Sequence, residues 1–186
     1  MKKTICTFLS TVSILLTLWL MHYGSLIENS GALSKTGLKH PILFAIWGII
    51  TYLTLHLNII YGLRKISRAN RIYYSLSAIA GIGIILTVNC DFDYTQRIQY
   101  YLHCAGSLAF SAITGILAFI LFLYQFHKNN VYKAFTIIIG SILIIDLILL
   151  IIFQETALIE AVPIIFGLII LPIFNFYIKD KEYVTQ

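Results

Sequence analysis

Six apolar runs of about 20 residues, separated by short polar segments, dominate the chain and limit what it can fold into. A helix of about 20 apolar residues crosses the ~30 Å hydrocarbon core of a bilayer. Only 11% of the 186 residues are charged, against roughly 25% in ordinary soluble domains, so the chain has too little polar surface to cover a soluble core. The sequence therefore predicts an all-α polytopic membrane protein, with six transmembrane helices in one bundle and a single domain over residues 1–186.

The predicted spans cover residues 4–23, 41–63, 72–89, 98–126, 131–153 and 157–178. A polar loop is expected before the second span, which begins at Pro41, where a helix loses no needed N–H group. The first span has an alternative interpretation as a signal peptide, because Ser30-Gly31-Ala32 has the small-x-small form of a cleavage site. That site lies far beyond the apolar core, so we favour a retained span and leave cleavage open.

Basic residues are distributed unequally between the two sides of the predicted bundle. Ten of the 13 Lys and Arg residues fall on the side that holds both termini: Lys2, Lys3, Arg64, Lys65, Arg68, Arg71, Lys128, Lys133, Lys179 and Lys181. The other side has only Lys35, Lys39 and Arg97. Because cytoplasmic loops are enriched in Lys and Arg, this distribution predicts that both termini are cytoplasmic. The net charge of +5 belongs to these clusters, so we expect no nucleic-acid partner.

The opposite, outward side collects most of the side chains that can do chemistry. The candidates for a binding pocket there are Gln99, His103, Ser107, His22, His40 and Glu160, and Glu155 is expected on the same face. Gln99, His103 and Ser107 recur every four residues, which places them on one stripe of the fourth span. The candidates for a catalytic role are His103, Asp91, Asp93 and Asp146. An ionisable side chain in hydrocarbon costs about 2.5–3.5 kcal/mol, so His103 and Asp146 should face the bundle or a wet cavity.

Each of these polar groups also has a structural interpretation. Stripes of hydroxyl and amide side chains more often join helices by hydrogen bonds than form a site. Cys90 and Cys104 both lie near the outer side, where an oxidising compartment would allow a disulfide. Two unpaired thiols are the alternative. The Ile- and Lys-rich composition and the Met-Lys-Lys start favour the plasma membrane of a bacterium.

The segment from Asp91 to Phe110 suggests a family. A polar loop is followed by Gln99, by His103 with Ala105-Gly106, and later by Phe110. This pattern resembles the six-span DRAM/Frag/Sfk membrane proteins and a related bacterial family of unknown function, in which a histidine before small residues and a phenylalanine marks a middle helix. The resemblance implies a membrane protein connected with lipids or lipid-anchored proteins.

Three classes of function follow from these observations. The first is a protein that binds a membrane lipid, another membrane protein or a second copy of itself through the outward polar pocket. The second is an intramembrane hydrolase or transferase acting on lipid head groups. In it His103, Asp91 and Asp93, with His22 or His40 as further candidates, hold a metal such as zinc or act as acid and base. No HExxH motif or nucleophile elbow supports that enzyme. The third is a small transporter, although Pro163 and Pro172 interrupt only the last span. Whether any reaction is catalysed stays open.

Overall fold

Helices form the regular structure of residues 3–177, the part of the chain that this computed structural model describes. Their bounds are α1 Lys3–Met21, α2 Leu33–Lys39, α3 Pro41–Lys65, α4 Arg71–Asn89, α5 Arg97–Leu123, α6 Asn130–Phe153 and α7 Ala157–Tyr177, with a single 3-10 turn at Asn29–Gly31. All but α2 are long and apolar enough to cross a membrane. The prediction of an all-α bundle with six spans is confirmed, and the protein is a multi-pass membrane protein.

The spans begin and end close to the predicted residues because local capping signals mark them. Asn70 caps α4 by accepting a hydrogen bond from the backbone N–H of Tyr73, and Asn129 caps α6 by accepting one from Tyr132. Pro41 occupies the first turn of α3. The predicted end of the last span at residue 178 lies outside the described residues. Three of the basic residues used to predict the orientation, Lys2, Lys179 and Lys181, also lie outside the described residues, and so does the side chain of Lys3.

The alternating direction of the spans sorts the charges between the two ends of the bundle. The C-terminal ends of α1, α4 and α6 meet the N-terminal ends of α3, α5 and α7, and we call this the acid end. It holds every Asp and Glu of residues 3–177: Glu28, Asp91, Asp93, Asp146, Glu155 and Glu160. The opposite, basic end carries the α3–α4 loop with Arg64, Lys65, Arg68 and Arg71. The orientation predicted above would place the acid end outside the cell.

The tightest helix pair is α4 against α5, and it depends on two glycines that face each other. A Cβ atom added to Gly106 would lie 2.6 Å from the backbone oxygen of Gly83, and one added to Gly83 would lie 2.7 Å from the oxygen of Gly106. Both distances are too short for any side chain. Small residues at such contacts let the backbones of membrane helices approach closely. Gly83 and Gly106 therefore fix the position of α5, the helix that carries His103 and Ser107.

Helix α1 is joined to α3 by buried hydrogen bonds. The indole Nε1 of Trp47 donates to Thr17 Oγ1 at 2.9 Å, and Thr17 Oγ1 donates in turn to the carbonyl of Ser13 at 2.8 Å. The hydroxyls of Ser13 and Thr51 lie 2.7 Å apart. Ser13 and Thr17 are fully buried. These bonds hold the Trp47 ring in one orientation and make α1 an integral part of the bundle.

Residues 24–40, predicted as a polar loop, contain a helix that the sequence did not indicate. Helix α2 packs against α3, and Leu33, Ser34, Thr36 and Gly37 are buried. A helix of seven residues is too short to show a clear apolar period, and its residues are mostly small or polar. Burial of Ser34 is possible because its polar groups bond to Glu160 on α7. Helix α2 thus covers the acid end of the bundle.

Candidate functional site

A cavity of about 560 Å³ opens between α5, α6 and α7 and is closed on its other side by α2, α3 and α4. It exists because α6 packs against both α5 and α7, whereas α5 and α7 have little direct contact. The cavity extends from Glu155 at the acid end to Leu171, 14 residues along α7 from Ala157 and therefore roughly 21 Å deep. We call it the acid-end cavity.

Polar groups lie near the acid end of this cavity, and apolar groups line most of the rest. The polar lining includes His103, Ser107, Asp146, Glu155 and Glu160. Deeper lining is formed by aliphatic side chains such as Leu55, Ile139 and Leu171. Of the residues predicted from the sequence, His103, Ser107, Glu160 and Asp146 are thus brought to one cavity. The cavity is amphipathic along its length.

His103 is held rigidly at the edge of the cavity. Its side chain is 2% exposed, and its ring packs against those of Phe92, at a centroid distance of 5.0 Å, and Phe44, at 6.3 Å. Nδ1 lies 2.9 Å from the carbonyl oxygen of Cys90. A carbonyl oxygen only accepts hydrogen bonds, so Nδ1 carries a proton, and in the neutral ring Nε2 is the acceptor. Nε2 is covered and has no hydrogen-bond partner within residues 3–177.

Glu160 connects α7 to α2. One carboxylate oxygen accepts a hydrogen bond of 2.6 Å from Ser34 Oγ, and the other accepts one of 3.3 Å from the backbone N–H of Ser34. These bonds place the carboxylate at the N-terminal end of α2, where helix N–H groups favour a negative charge. The Glu160–Ser34 contact therefore fixes both the carboxylate and the short helix that covers the cavity.

Glu155 precedes α7, and its position depends on an unusual backbone conformation at the preceding residue. The preceding residue, Gln154, has φ 62° and ψ −167°, a region that is populated almost only by glycine. Asn29 Nδ2 donates to the backbone carbonyl of Glu155 at 2.7 Å and lies 3.5 Å from its Oε2. The strained turn thus directs Glu155 toward the cavity, and a polar contact from the α1–α2 segment holds it there.

Replacing Gln154 with glycine is expected to raise the free energy of unfolding by about 1 kcal/mol, because glycine adopts this conformation without steric cost. Thermal unfolding in detergent would measure the change as a higher midpoint. Ser67→Gly is the matched control. Ser67 has φ 56°, in the common left-handed region, so its replacement should raise the midpoint less. An unchanged or lower midpoint for Gln154→Gly would contradict the assignment of strain to this turn.

The other predicted site residues lie at the acid end but outside the cavity. Gln99 Oε1 accepts a hydrogen bond of 3.1 Å from the backbone N–H of Asp91, which is exposed. Asp93 accepts hydrogen bonds from the backbone N–H and the hydroxyl of Thr95, and these bonds hold the pKa of Asp93 below its usual value. His22 is exposed, and His40 packs against the ring of Tyr23 at 4.2 Å. These groups order the loops around the site.

The proposed zinc ligands do not converge. Among the residues that the structure describes, no three His, Cys, Asp or Glu side chains lie close enough together to hold a metal ion. His103, Asp91 and Asp93 therefore do not form a ligand set in this arrangement. Cys90 and Cys104 are free thiols, so the disulfide alternative is not observed either.

The lining residues that were not assigned to the pocket from the sequence include Ser34, Glu155 and Trp47. Ser34 was missed because α2 was taken as a loop. Glu155 was placed on the correct face, but nothing in the sequence indicates the backbone turn that directs it inward. Trp47 lies on one stripe of α3 with Thr51, and because such stripes more often join helices than form a site, nothing in the sequence assigned Trp47 to the pocket.

Comparison of the chain with protein-family models, with curated proteins and with solved structures finds no match. The fold and the cavity therefore define the class of protein by themselves. It is a six-span helical membrane protein with an amphipathic cavity at one end of its bundle.

Proposed function

We propose that the protein binds a membrane lipid, or another amphipathic molecule, in the acid-end cavity. The observation that carries this proposal is the polarity of the cavity, with carboxylates and His103 at the acid end and aliphatic side chains below. Its volume of about 560 Å³ lies within the range of ~300–1,000 Å³ that is typical of small-molecule sites. A ligand with a polar head and an apolar chain would match both parts.

The side wall of the cavity supports a ligand that comes from the membrane. Several lining residues of α5 and α6 are also largely exposed: Leu108 is 65% exposed, Ile116 55% and Leu147 58%. These side chains lie within membrane spans, where exposure of the protein surface means exposure to lipid. Between α5 and α6 the cavity therefore borders the hydrocarbon region. An amphipathic molecule could enter sideways without passing through water.

The resemblance of Gln99, His103, Ala105-Gly106 and Phe110 to the DRAM/Frag/Sfk pattern agrees with a lipid-related role. We further propose that the protein lies in the plasma membrane of a bacterium with the acid end outward. A partner membrane protein, or a second copy, remains the alternative occupant of the acid-end surface. The hydrolase and transporter alternatives gain no supporting contact from residues 3–177, so lipid binding is the function to test.

Fluorescence of Trp47 offers a direct test, because this ring lines the cavity and is 5% exposed. The chain has two tryptophans, and Trp19 is 52% exposed, so Trp19→Phe leaves Trp47 as the reporter. In nanodiscs, lipids with brominated chains are expected to quench Trp47 with a saturable dependence on their mole fraction.

Filling the cavity should remove that saturable quenching. Ser107→Phe places a ring in the cavity and is expected to weaken apparent lipid affinity by about ten-fold, or about 1.4 kcal/mol. Ala105→Phe is the matched control, since Ala105 lies on the exposed side of the same helix and outside the lining. Equal quenching in the two variants, or quenching that never saturates, would contradict binding in the cavity.

A further inference from the structure

The polar part of the cavity shows which kind of head group it would accept. We propose that the ligand carries a cationic amine, which is attracted by the carboxylates that line the cavity, those of Glu155, Glu160 and Asp146. This inference rests on the proposed lipid-binding function and specifies the chemistry of the bound molecule. The amine belongs either to a long-chain amine or to the head group of a phospholipid, since both present the same ammonium to the cavity.

The charge of the cavity lining is the first observation that favours a cationic ligand. Three carboxylates and one histidine line the cavity, and no Lys or Arg is among its lining residues. In the described part of the chain, Glu160 is bonded to Ser34, Glu155 lies near Asn29, and Asp146 has no hydrogen-bond partner. None of the three has a basic side chain as ion-pair partner there. Carboxylates in a membrane protein that lack a countercharge favour a cation.

The geometry of His103 carries the second step independently. Its Nδ1 must donate to the Cys90 carbonyl, so the covered Nε2 is an acceptor without a partner when the ring is neutral. A buried acceptor that lacks a donor costs about 1–3 kcal/mol. A group that completes this site must therefore donate a hydrogen bond, which an ammonium does and a carboxylate does not.

The aromatic lining carries the third step. The rings of Phe44, Trp47 and Phe92 all line the cavity, and Phe44 and Trp47 are stacked with centroids 5.2 Å apart. A cation is attracted to the face of an aromatic ring, and the attraction increases where water is excluded. Rings beside carboxylates form a common arrangement for ammonium groups. The same lining has no Lys or Arg, the side chains that normally bind a phosphate or carboxylate head group.

The basic residues of the acid end confirm that an anion has no countercharge in the cavity. Lys35 bonds to Asn29 and lies over the ring of Tyr94, with Nζ 5.9 Å from the centroid. Lys39 and Arg97 are exposed. None of the three is a lining residue. Anionic head groups are normally held by Arg or Lys, so the cavity should discriminate against them.

The test uses the Trp19→Phe protein in nanodiscs of neutral lipid, with Trp47 as reporter. Brominated amphiphiles with the same chain are added as a primary amine, an alcohol and a carboxylic acid, and affinity is expressed by mole fraction in the membrane. We expect the amine to bind at least ten-fold more tightly than the alcohol, and the acid to bind more weakly than both. Brominated phosphatidylethanolamine, set against phosphatidylglycerol, separates a phospholipid amine from a free one.

The carboxylates are tested by the combined change Glu155→Gln, Glu160→Gln and Asp146→Asn. It should reduce the ratio of amine to alcohol affinity to within about two-fold. The control Asp91→Asn with Asp93→Asn, which changes acids outside the cavity, should keep the ratio of the parent. A thermal unfolding scan confirms that each protein is folded, and Asp146→Asn alone replaces the combined change if that variant unfolds.

The outcomes separate the two proposals. Saturable quenching with equal affinity for amine and alcohol, or a preference for the acid, overturns the amine inference and leaves lipid binding intact. An amine preference that survives loss of the carboxylates also overturns it. No saturable quenching by any of the amphiphiles overturns the proposed function itself.

Discussion

Gly106→Leu is expected to lower the free energy of unfolding by about 3 kcal/mol, because the new side chain has no space between α4 and α5. Even a Cβ atom at this position would lie 2.6 Å from the backbone oxygen of Gly83 and 2.8 Å from the Cβ of Leu86. Backbone atoms cannot move aside as a flexible side chain can, so the two helices must separate. Overpacking of a tight interior typically costs 1–3 kcal/mol, and a contact between backbones belongs at the upper end.

Thermal unfolding in detergent, followed by size-exclusion chromatography, would show this loss as a lower midpoint and less monodisperse protein. Ala105→Leu is the matched control, since Ala105 is the adjacent residue on the exposed side of α5. It adds the same bulk toward lipid and should leave the midpoint nearly unchanged. Similar midpoints for Gly106→Leu and the parent would mean that α4 and α5 are not packed as closely as described.

Asp146→Leu is expected to raise the free energy of unfolding by about 1–3 kcal/mol, whereas Gly106→Leu lowers it. Asp146 lies in a membrane span, lines the cavity and has no hydrogen-bond partner in residues 3–177. An acid placed in this environment costs free energy on folding that leucine does not. The gain should come with weaker binding of an amine, as is common where a functional residue is kept at the expense of stability.

Thermal midpoints of Asp146→Leu, Asp146→Asn and Asp91→Leu would measure this effect. Asparagine keeps a polar group of similar size, so Asp146→Asn should raise the midpoint less than Asp146→Leu does. Asp91 is exposed, so Asp91→Leu should leave the midpoint unchanged. A lower midpoint for Asp146→Leu than for the parent would show that Asp146 stabilises the fold. In that case its role would be structural.

The helical architecture was predictable because two simple signals agree along the chain. Apolar runs of membrane-spanning length give the number of spans, and residues such as Pro41, Asn70 and Asn129 mark where helices begin. The alternation of spans then decides which helix ends meet. For this reason His103, Asp146 and Glu160 were correctly expected at one end of the bundle, although they are far apart in sequence.

The composition of the cavity was less predictable, since it depends on which helices are neighbours. Spans that are apolar on all sides carry little information about which face packs against which partner. His22 and His40 reach the same end of the bundle but lie outside the cavity, while Ser34 enters it through a helix too short to show a period. The turn at Gln154 depends on tertiary contacts of Glu155 that no local pattern encodes.

The unequal packing of the spans separates the part of the molecule that maintains the fold from the part that shapes the cavity. The contact between Gly83 of α4 and Gly106 of α5 leaves no space for a side chain, whereas α6 is the least buried span and touches only its two neighbours extensively. Side chains such as Ile142 and Leu143 face the cavity from this lightly packed helix. Substitutions in α6 alone could therefore change the length and shape of the cavity, while the rest of the bundle stays the same.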